Sequence, residues 1–483
     1  MNKIGTNGNN EAEKVLKTSI IYILVNLINK GIGIITIPIF TRFLTTAEMG
    51  TVSTWISWLT MLTPITSLAL NSGSLYIAMN EYREERDAYQ SSALTLSSVV
   101  SVFCLLMYFV FRRVMNKIFT LSTPLMIFMF IYLIFSPALD IWMVRQKYEY
   151  NTKKMAIVTL LSNLIASILT VFLILYFQNR DIDMGNIRIY GTYTVLGIFS
   201  IFFYLKILKT GKVFFNKNYW KFGFSVSGPL IIHTLAKNIL DVSDRSMISF
   251  YCGKDDVGIY GTIYSISTLS LIIWNAINGA FVPYLYDKME KGDSESIKDI
   301  RRVSFIVIIM YAVACLILTA IAPEIVKILT TKQYYDAIYI IPPIAAGIFL
   351  TCVYNLFANI ILFYKKTISV MVATVIAALV NIVLNMFFIP KWGYIAASYT
   401  TLLAYMILAL LQGIMMKKID KRDLYDIKKI AATSFVIIGI CVSLSMLYER
   451  RIFRYMIIVS ILLILFYNCR KVREIMDKIK KRG

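Results

Sequence analysis

The sequence has few of the residues that soluble enzymes use for chemistry. Its 483 residues include one histidine, His233, and six cysteines. The cysteines are isolated from one another, with no CxxC or other metal-type spacing, so we interpret them as small core residues. A single histidine also argues against a zinc site or a Ser-His-Asp hydrolase. We therefore predict no cofactor and no enzymatic activity.

Charged residues are scarce too, and acidic ones most of all. There are 28 Asp and Glu against 50 Lys and Arg, and 58% of the chain is apolar. Soluble domains are about 45–50% apolar, so the composition indicates a lipid bilayer as the solvent. The net charge of +22 does not indicate nucleic acid, because the basic residues lie in short loops and at the C-terminus and form no basic face on a soluble domain.

Long apolar runs recur along the whole chain. A helix that spans a bilayer needs about 20 mostly apolar residues, and we predict fourteen such spans, hence an all-α integral membrane protein. The predicted spans are residues 18–41, 49–78, 92–112, 121–144, 155–177, 189–208, 223–251, 257–286, 303–325, 337–364, 367–389, 393–416, 429–447 and 453–468.

The distribution of Lys and Arg predicts the orientation in the membrane. These residues concentrate in the segments that are cytoplasmic if the N-terminus is inside, as the positive-inside rule requires. The turns around Arg112 and Arg454 go against this trend. We predict a multi-pass protein of the bacterial cytoplasmic (inner) membrane, with both termini cytoplasmic and a basic tail that binds anionic membrane lipids.

A weak internal repeat appears at an offset of about 207 residues. Ala69-Leu70-Asn71-Ser72-Gly73 returns as Ala276-Ile277-Asn278-Gly279, and Glu48-Met49-Gly50 returns as Asp256-Val257-Gly258. An offset of six spans predicts two parallel, pseudo-symmetric six-helix lobes. The predicted segments are a cytoplasmic N-terminus (1–17), an N-lobe (18–208), a basic linker (209–222), a C-lobe (223–416), two more spans (429–468) and a basic tail (469–483).

Two lysines fall near the middle of predicted spans. The repeat offset carries Lys30 of the first span onto Lys237 of the seventh, and Asn26 onto His233. A charge at a helix centre costs about 2.5–3.5 kcal/mol on insertion scales. We therefore expect both ammonium groups to face a watery interior that binds an anion.

Further polar residues accompany these lysines. His233, Lys237, Asp241 and Arg245 follow one another at four-residue intervals, which places them on one face of a helix. They can bind a substrate, or the acid can simply neutralise its basic neighbours. Asp140 in the fourth span and Asp241 are candidates for ion coupling, although Asp140 can also form a structural pair.

Several asparagines lie within predicted spans. Asn71 and Asn278 occupy equivalent positions of the repeat and are candidates, with Asn26, for binding a polar substrate. Asn381 and Asn385 lie one turn apart and can line a pathway or form hydrogen bonds between helices. For this last pair we favour helix packing.

Three stretches carry a resemblance to a known family. They are Ile39-Phe40-Thr41-Arg42-Phe43-Leu44 followed by Glu48-Met49-Gly50; Ala322-Pro323-Glu324-Ile325-Val326-Lys327-Ile328-Leu329; and Asn381 to Pro390 with Gly393 and Ala396-Ala397. In these stretches and in its span pattern the chain resembles the polysaccharide transporter family. That family belongs to the superfamily that also contains multidrug and toxin extrusion antiporters and the peptidoglycan-precursor flippase.

The resemblance implies a V-shaped, two-lobed transporter that works by alternating access. Its substrate would be an undecaprenyl-pyrophosphate-linked repeat unit for O-antigen of lipopolysaccharide, capsule or exopolysaccharide, and a polysaccharide polymerase complex would be a further partner. In such a protein Lys30, Lys237 and Arg245 would offset the pyrophosphate charge.

Two other functions fit the composition. A multidrug cation antiporter of the same superfamily generally carries a carboxylate in its first helix, where this chain has Lys30. A membrane polymerase or ligase usually holds its catalytic residues in a long external loop, and the predicted outer loops are short.

Overall fold

The computed structural model describes residues 24, 25 and 27–460, and within these residues the chain is helical with no strand. The prediction of an all-α protein is therefore confirmed. The helices are α1 (27–43), α2 (Thr46–Thr66), α3 (Ser74–Glu81), α4 (Arg86–Val110), α5 (Arg112–Phe119), α6 (Thr123–Tyr148), α7 (Thr152–Phe177), α8 (Met184–Gly211), α9 (Lys217–Tyr251), α10 (Lys254–Ser267), α11 (Ser270–Lys291), α12 (Ser294–Ala320), α13 (Ala322–Leu329), α14 (Ile341–Phe363), α15 (Thr367–Ile419), α16 (Ile427–Leu444) and α17 (451–460). Short 3₁₀ turns cover Leu70–Ser72, Lys332–Ile340 and Ser445–Leu447.

Many of these helices can cross a bilayer. Among the described residues, eight are long and apolar enough to do so, or nine if the bent pair α10–α11 counts as one span. The 53-residue α15 contains the predicted eleventh and twelfth spans, and its one non-helical residue, Gly393, has φ 64°. This break lies at the predicted start of the twelfth span. The count of fourteen stays a prediction, and most of the last predicted span and the basic tail lie outside the described residues.

The helices group into two compact units. The first contains the described residues up to Thr262, together with Leu329–Gln333 and Lys366–Ala404. The second contains Ile263–Ile328, Tyr334–Lys365 and the described residues from Tyr405 onward. The predicted division of the chain at the linker 209–222 stays a prediction.

In the first unit, α2 begins at a fully capped N-terminus. Thr45 is the N-cap: its hydroxyl accepts the Glu48 N–H, and the Glu48 carboxylate accepts the Thr45 N–H at 2.8 Å. This reciprocal pattern is a capping box. Glu48 also accepts the Met184 N–H at 2.6 Å, so the same carboxylate ties the start of α2 to the start of α8.

The starts of α2 and α10 pack against each other through glycine. A Cβ on Gly50 would overlap the carbonyl oxygen of Lys254, and a Cβ on Gly258 would overlap that of Thr46. Only glycine allows two backbones to approach so closely. Gly50 and Gly258 are the pair that the repeat offset predicts to be equivalent, and in the first unit they lie side by side.

A buried polar network joins α9 to both parts of α15 within the first unit. The side chains of Asn381 and Asn385 are both fully buried. Asn385 Nδ2 donates to Asn381 Oδ1 at 3.1 Å, Ser243 donates to the same oxygen at 3.3 Å, and the Thr400 hydroxyl donates to Asn385. The expectation that these asparagines serve helix packing is confirmed.

Two ion pairs hold elements of the second unit together. Arg454 of α17 is 1% exposed and forms two 2.8 Å hydrogen bonds with the Glu324 carboxylate of α13. Arg422, in the turn between α15 and α16, binds the buried Asp420 carboxylate and donates to the Tyr364 hydroxyl at 2.6 Å. The Glu324–Arg454 pair therefore joins α13 to α17, and the hydrogen bond from Arg422 to Tyr364 joins the turn after α15 to the end of α14.

Candidate functional site

Lys30 lies on α1 as an exposed side chain. Asn26, a predicted substrate-binding residue, lies outside the described residues. Lys237 is also exposed and lies near the middle of α9, a single helix of 35 residues. By length α9 can cross a bilayer, but neither α1 nor α9 is among the described helices that are both long and apolar enough to be candidate spans.

The continuity of α9 aligns the predicted polar stripe. His233, Lys237, Asp241 and Arg245 follow at i, i+4, i+8 and i+12 of one unbroken helix, so they share a face. His233 and Lys237 interact electrostatically. The side chains of His233, Asp241 and Arg245 are half-buried, whereas that of Lys237 is exposed.

The ion pairing of the two lysines is that of many other basic residues in the described chain, which also have no carboxylate partner. Neither Lys30 nor Lys237 forms an ion pair within the part of the chain that the structure describes. Lys288 and Arg422, by contrast, each bind a carboxylate at 2.8 and 2.9 Å. A cation that no protein carboxylate neutralises is available to an anionic ligand.

Next to the stripe, α9 is fastened to α2 and α10 by contacts that the sequence did not reveal. Asn238 Nδ2 donates to the Thr60 carbonyl oxygen at 2.7 Å. The buried Asp244 carboxylate accepts the Tyr260 hydroxyl and, at 2.7 Å, the Arg245 N–H. Asp244 therefore serves to join α9 to α10 and does not belong to the stripe of His233, Lys237, Asp241 and Arg245. The sequence around Asp244 gives no indication that Tyr260 is its hydrogen-bond partner.

Asn71 lies in a break of the predicted second span. After α2 ends, Leu68 and Ala69 have φ of 52° and 46°, and a 3₁₀ turn leads into α3. A left-handed backbone conformation costs about 1–2 kcal/mol for each non-glycine residue. The surrounding packing must therefore stabilise this turn. Leu68, Ala69 and Leu70 are buried, which supplies that packing.

The structure brings Asn71 together with Asp140. Asn71 Nδ2 donates to Asp140 Oδ2 of α6 at 3.3 Å, and both side chains are half-buried. In the second unit the repeat-equivalent Asn278 accepts a hydrogen bond from Asn359 Nδ2 of α14 at 3.0 Å. Both candidate asparagines thus contact a polar side chain on another helix.

The fold defines a class of protein. A solved structure of the lipid II flippase MurJ in an inward closed conformation matches 94% of this chain and 100% of its own, with a TM-score of 0.65 and 16% identity. An inward-facing multidrug resistance MATE transporter of the MOP superfamily matches 82% of this chain and 94% of its own, with a TM-score of 0.55 and 14% identity. The described chain therefore has the fold of these two solved structures.

Sequence comparison gives the family. The model described as polysaccharide biosynthesis protein matches residues 15–289, and the MatE model matches residues 229–387. The chain belongs to the polysaccharide biosynthesis protein family. The Lsg locus putative protein 1 of Haemophilus influenzae is 20% identical over 372 residues, which are 76% of this chain and 90% of that protein. The resemblance noted from the sequence is confirmed.

Proposed function

We propose that the protein is a flippase that moves undecaprenyl-pyrophosphate-linked oligosaccharide repeat units across the bacterial cytoplasmic membrane, from the inner to the outer leaflet. The products would feed the assembly of a surface polysaccharide such as O-antigen, capsule or exopolysaccharide, with a polysaccharide polymerase complex as the next partner. The family match supports a role in polysaccharide biosynthesis, and the transporter fold supports movement across the membrane.

One observation carries the choice of an anionic cargo. Lys30 and Lys237 occupy repeat-equivalent positions on α1 and α9, and neither has an ion-pair partner within the described chain. A pyrophosphate offers the countercharge that these ammonium groups lack, and the attraction is strong where the effective dielectric constant is low. Arg245 would extend the cationic site along α9 and His233 would add a hydrogen-bonding group, and Asn26, Asn71 and Asn278 would bind the sugars.

The test compares the double variant Lys30→Ala/Lys237→Ala with the wild type in liposomes. The probe is an undecaprenyl-pyrophosphate-linked oligosaccharide with a fluorophore on the sugar, and a membrane-impermeant quencher reports its leaflet. We expect the double alanine variant to lose flipping and Lys30→Arg/Lys237→Arg to retain it, because arginine keeps the charge. Lys209→Ala, which removes an exposed lysine at the end of α8, is the matched control.

Normal flipping by the double alanine variant would overturn the cationic site. A second candidate function, a multidrug cation antiporter, rests on the MatE match over residues 229–387. Lys30 has the wrong charge to attract an organic cation. Efflux of a cationic dye, together with no flipping of the labelled lipid, would favour the antiporter.

A further inference from the structure

The short helix α5 lies between two candidate membrane spans. Both α4 and α6 are long and apolar enough to cross a bilayer, whereas α5 has eight residues, Arg112–Phe119, and is too short to do so. It therefore lies at the membrane surface where α4 ends and α6 begins. Its three basic residues, Arg112, Arg113 and Lys117, belong to a turn that goes against the positive-inside trend.

One face of α5 is fixed to the rest of the first unit. The buried Phe119 ring stacks on Trp58 of α2, with the ring centroids 3.9 Å apart. The Asn116 side chain accepts a hydrogen bond from the Tyr108 hydroxyl at 2.9 Å and donates one to the Thr123 hydroxyl oxygen at 2.7 Å. These contacts join α5 to the end of α4 and the start of α6, so the directions of its other faces are fixed as well.

The remaining side chains of α5 form two adjacent exposed faces. At 3.6 residues per turn, Arg113 and Lys117 share one face of the helix, and Val114 and Ile118 share the next. All four side chains are exposed, Val114 by 58% and Ile118 by 47%. The helix thus presents two neighbouring cations beside two neighbouring aliphatic side chains.

The basic face of α5 has no countercharge close to it in the chain. The sequence contains no Asp or Glu between Asp87 and Asp140, and the two cations form no ion pair with any of the described residues. Arg454, in the other turn that opposes the charge trend, differs because Glu324 neutralises it within the second unit. The charge on α5 is therefore available to a ligand from outside the chain.

An anionic phospholipid fits both exposed faces at once. Amphipathic helices with basic residues on one face and apolar residues on another lie at the boundary between headgroups and acyl chains, and anionic lipids attract them. Guanidinium and ammonium groups both form charge-assisted hydrogen bonds with phosphate. A soluble anion would bind the cations but would leave Val114 and Ile118 without an apolar partner, so the lipid is the better fit.

We propose that α5 is a binding site for phosphatidylglycerol at this membrane surface. Arg113 and Lys117 bind the headgroup phosphate. Val114 and Ile118 pack against the first part of an acyl chain. The ligand is a lipid of the bilayer and not the transported cargo, so the inference stands apart from the proposed function.

The experiment measures which lipid lies next to α5. A bimane fluorophore is attached to Ile118→Cys in a protein whose native cysteines are replaced, and the protein is reconstituted in vesicles of phosphatidylcholine and phosphatidylglycerol. Bromine on the acyl chains of one lipid or the other quenches a fluorophore in contact with it. Half-quenching should need about tenfold less brominated phosphatidylglycerol than brominated phosphatidylcholine, because each basic residue near anionic headgroups contributes about fivefold. High salt should reduce this preference.

Three variants make the result specific. Arg113→Gln/Lys117→Gln should lose the preference for phosphatidylglycerol, whereas Arg113→Lys/Lys117→Arg retains both charges and should keep it. The matched control is Lys153→Gln/Lys154→Gln, which removes two exposed charges at the start of α7, beyond the other end of α6. This control should keep the preference of the parent protein.

Three outcomes would overturn the proposal. The first is equal quenching by the two brominated lipids in the parent protein, and the second is an unchanged preference in Arg113→Gln/Lys117→Gln. The third is loss of the preference when a small mole fraction of undecaprenyl pyrophosphate is added, which would assign α5 to the cargo.

Discussion

Gly50 and Gly258 each pack against the backbone carbonyl that lies four residues before the other glycine. Gly50 faces Lys254 and Gly258 faces Thr46, so the contact is reciprocal, as a pseudo-two-fold relation between α2 and α10 requires. The Thr46 hydroxyl also donates to the Asp255 carboxylate across the same contact. The first unit thus joins the starts of two repeat-related helices backbone to backbone.

A methyl group at either glycine should separate α2 from α10. In Gly50→Ala or Gly258→Ala the new Cβ overlaps a backbone carbonyl, and because backbone cannot turn aside as a side chain can, the helices must move. Overpacking of this kind costs about 1–3 kcal/mol. The measurement is disulfide formation between cysteines placed at positions 46 and 255, which we expect to fall in both variants.

The control for that experiment is Gly279→Ala. No atom lies within 4 Å of the Cβ that this change adds, so disulfide formation should equal that of the parent protein. Undiminished disulfide formation in Gly50→Ala and Gly258→Ala would show that the close backbone contact is not maintained in the membrane.

The Asp420–Arg422 pair predicts a pH-dependent stability. Burial alone would raise the pKa of Asp420, but hydrogen bonds from the Arg422 side chain and N–H and from Tyr364 lower the pKa below its ordinary value. The folded state therefore binds a proton less readily than the unfolded state. The stabilisation is fully present above the unfolded pKa of about 3.9 and is lost as the pH falls through the lower, folded value.

Asp420→Asn tests this linkage. At neutral pH we expect the free energy of unfolding of the variant to fall by about 1–3 kcal/mol. The variant loses hydrogen bonds to a charged carboxylate, and Arg422 loses its partner. The difference from the wild type in thermal unfolding should shrink as the pH approaches about 3. Tyr364→Phe, which removes one neutral hydroxyl from the same cluster, should give a smaller loss that changes little with pH.

Replacing Glu324 should destabilise the protein more than replacing Arg454. Arg454 is 1% exposed and Glu324 is 31% exposed. Glu324→Gln leaves a buried guanidinium without its countercharge and should cost about 3–5 kcal/mol, whereas Arg454→Met leaves a carboxylate that water can reach and should cost less. The measurement is the thermal unfolding midpoint of each variant. Equal losses, or a larger loss from Arg454→Met, would contradict this assignment.

Local sequence patterns predicted the helical elements well. The apolar runs predict where the long helices lie. The predicted boundary between the eleventh and twelfth spans falls on Gly393, the one non-helical residue of α15. The preference for helix packing at Asn381 and Asn385 holds because two amides one turn apart on an apolar helix have few partners except another helix.

Long-range partners could not be predicted in the same way. The pairs Asn71–Asp140, Asp244–Tyr260 and Glu324–Arg454 join residues on different helices, and hydrophobic periodicity carries no information about which helices are neighbours. Arg454 illustrates the consequence: in the charge count it opposed the predicted orientation, whereas the structure shows that it neutralises Glu324. The broken second span was missed because Leu68 and Ala69 are not residues typical of a left-handed turn.

The break in α15 also determines where foreign sequence can be inserted. A single residue, Gly393, changes the direction of the chain between two apolar stretches, so there is no connecting loop whose length can vary. An epitope tag placed there would have to displace helical turns on both sides. The segment between α8 and α9 has several residues outside either helix, and exposed connections of that kind tolerate insertions and protease sites best.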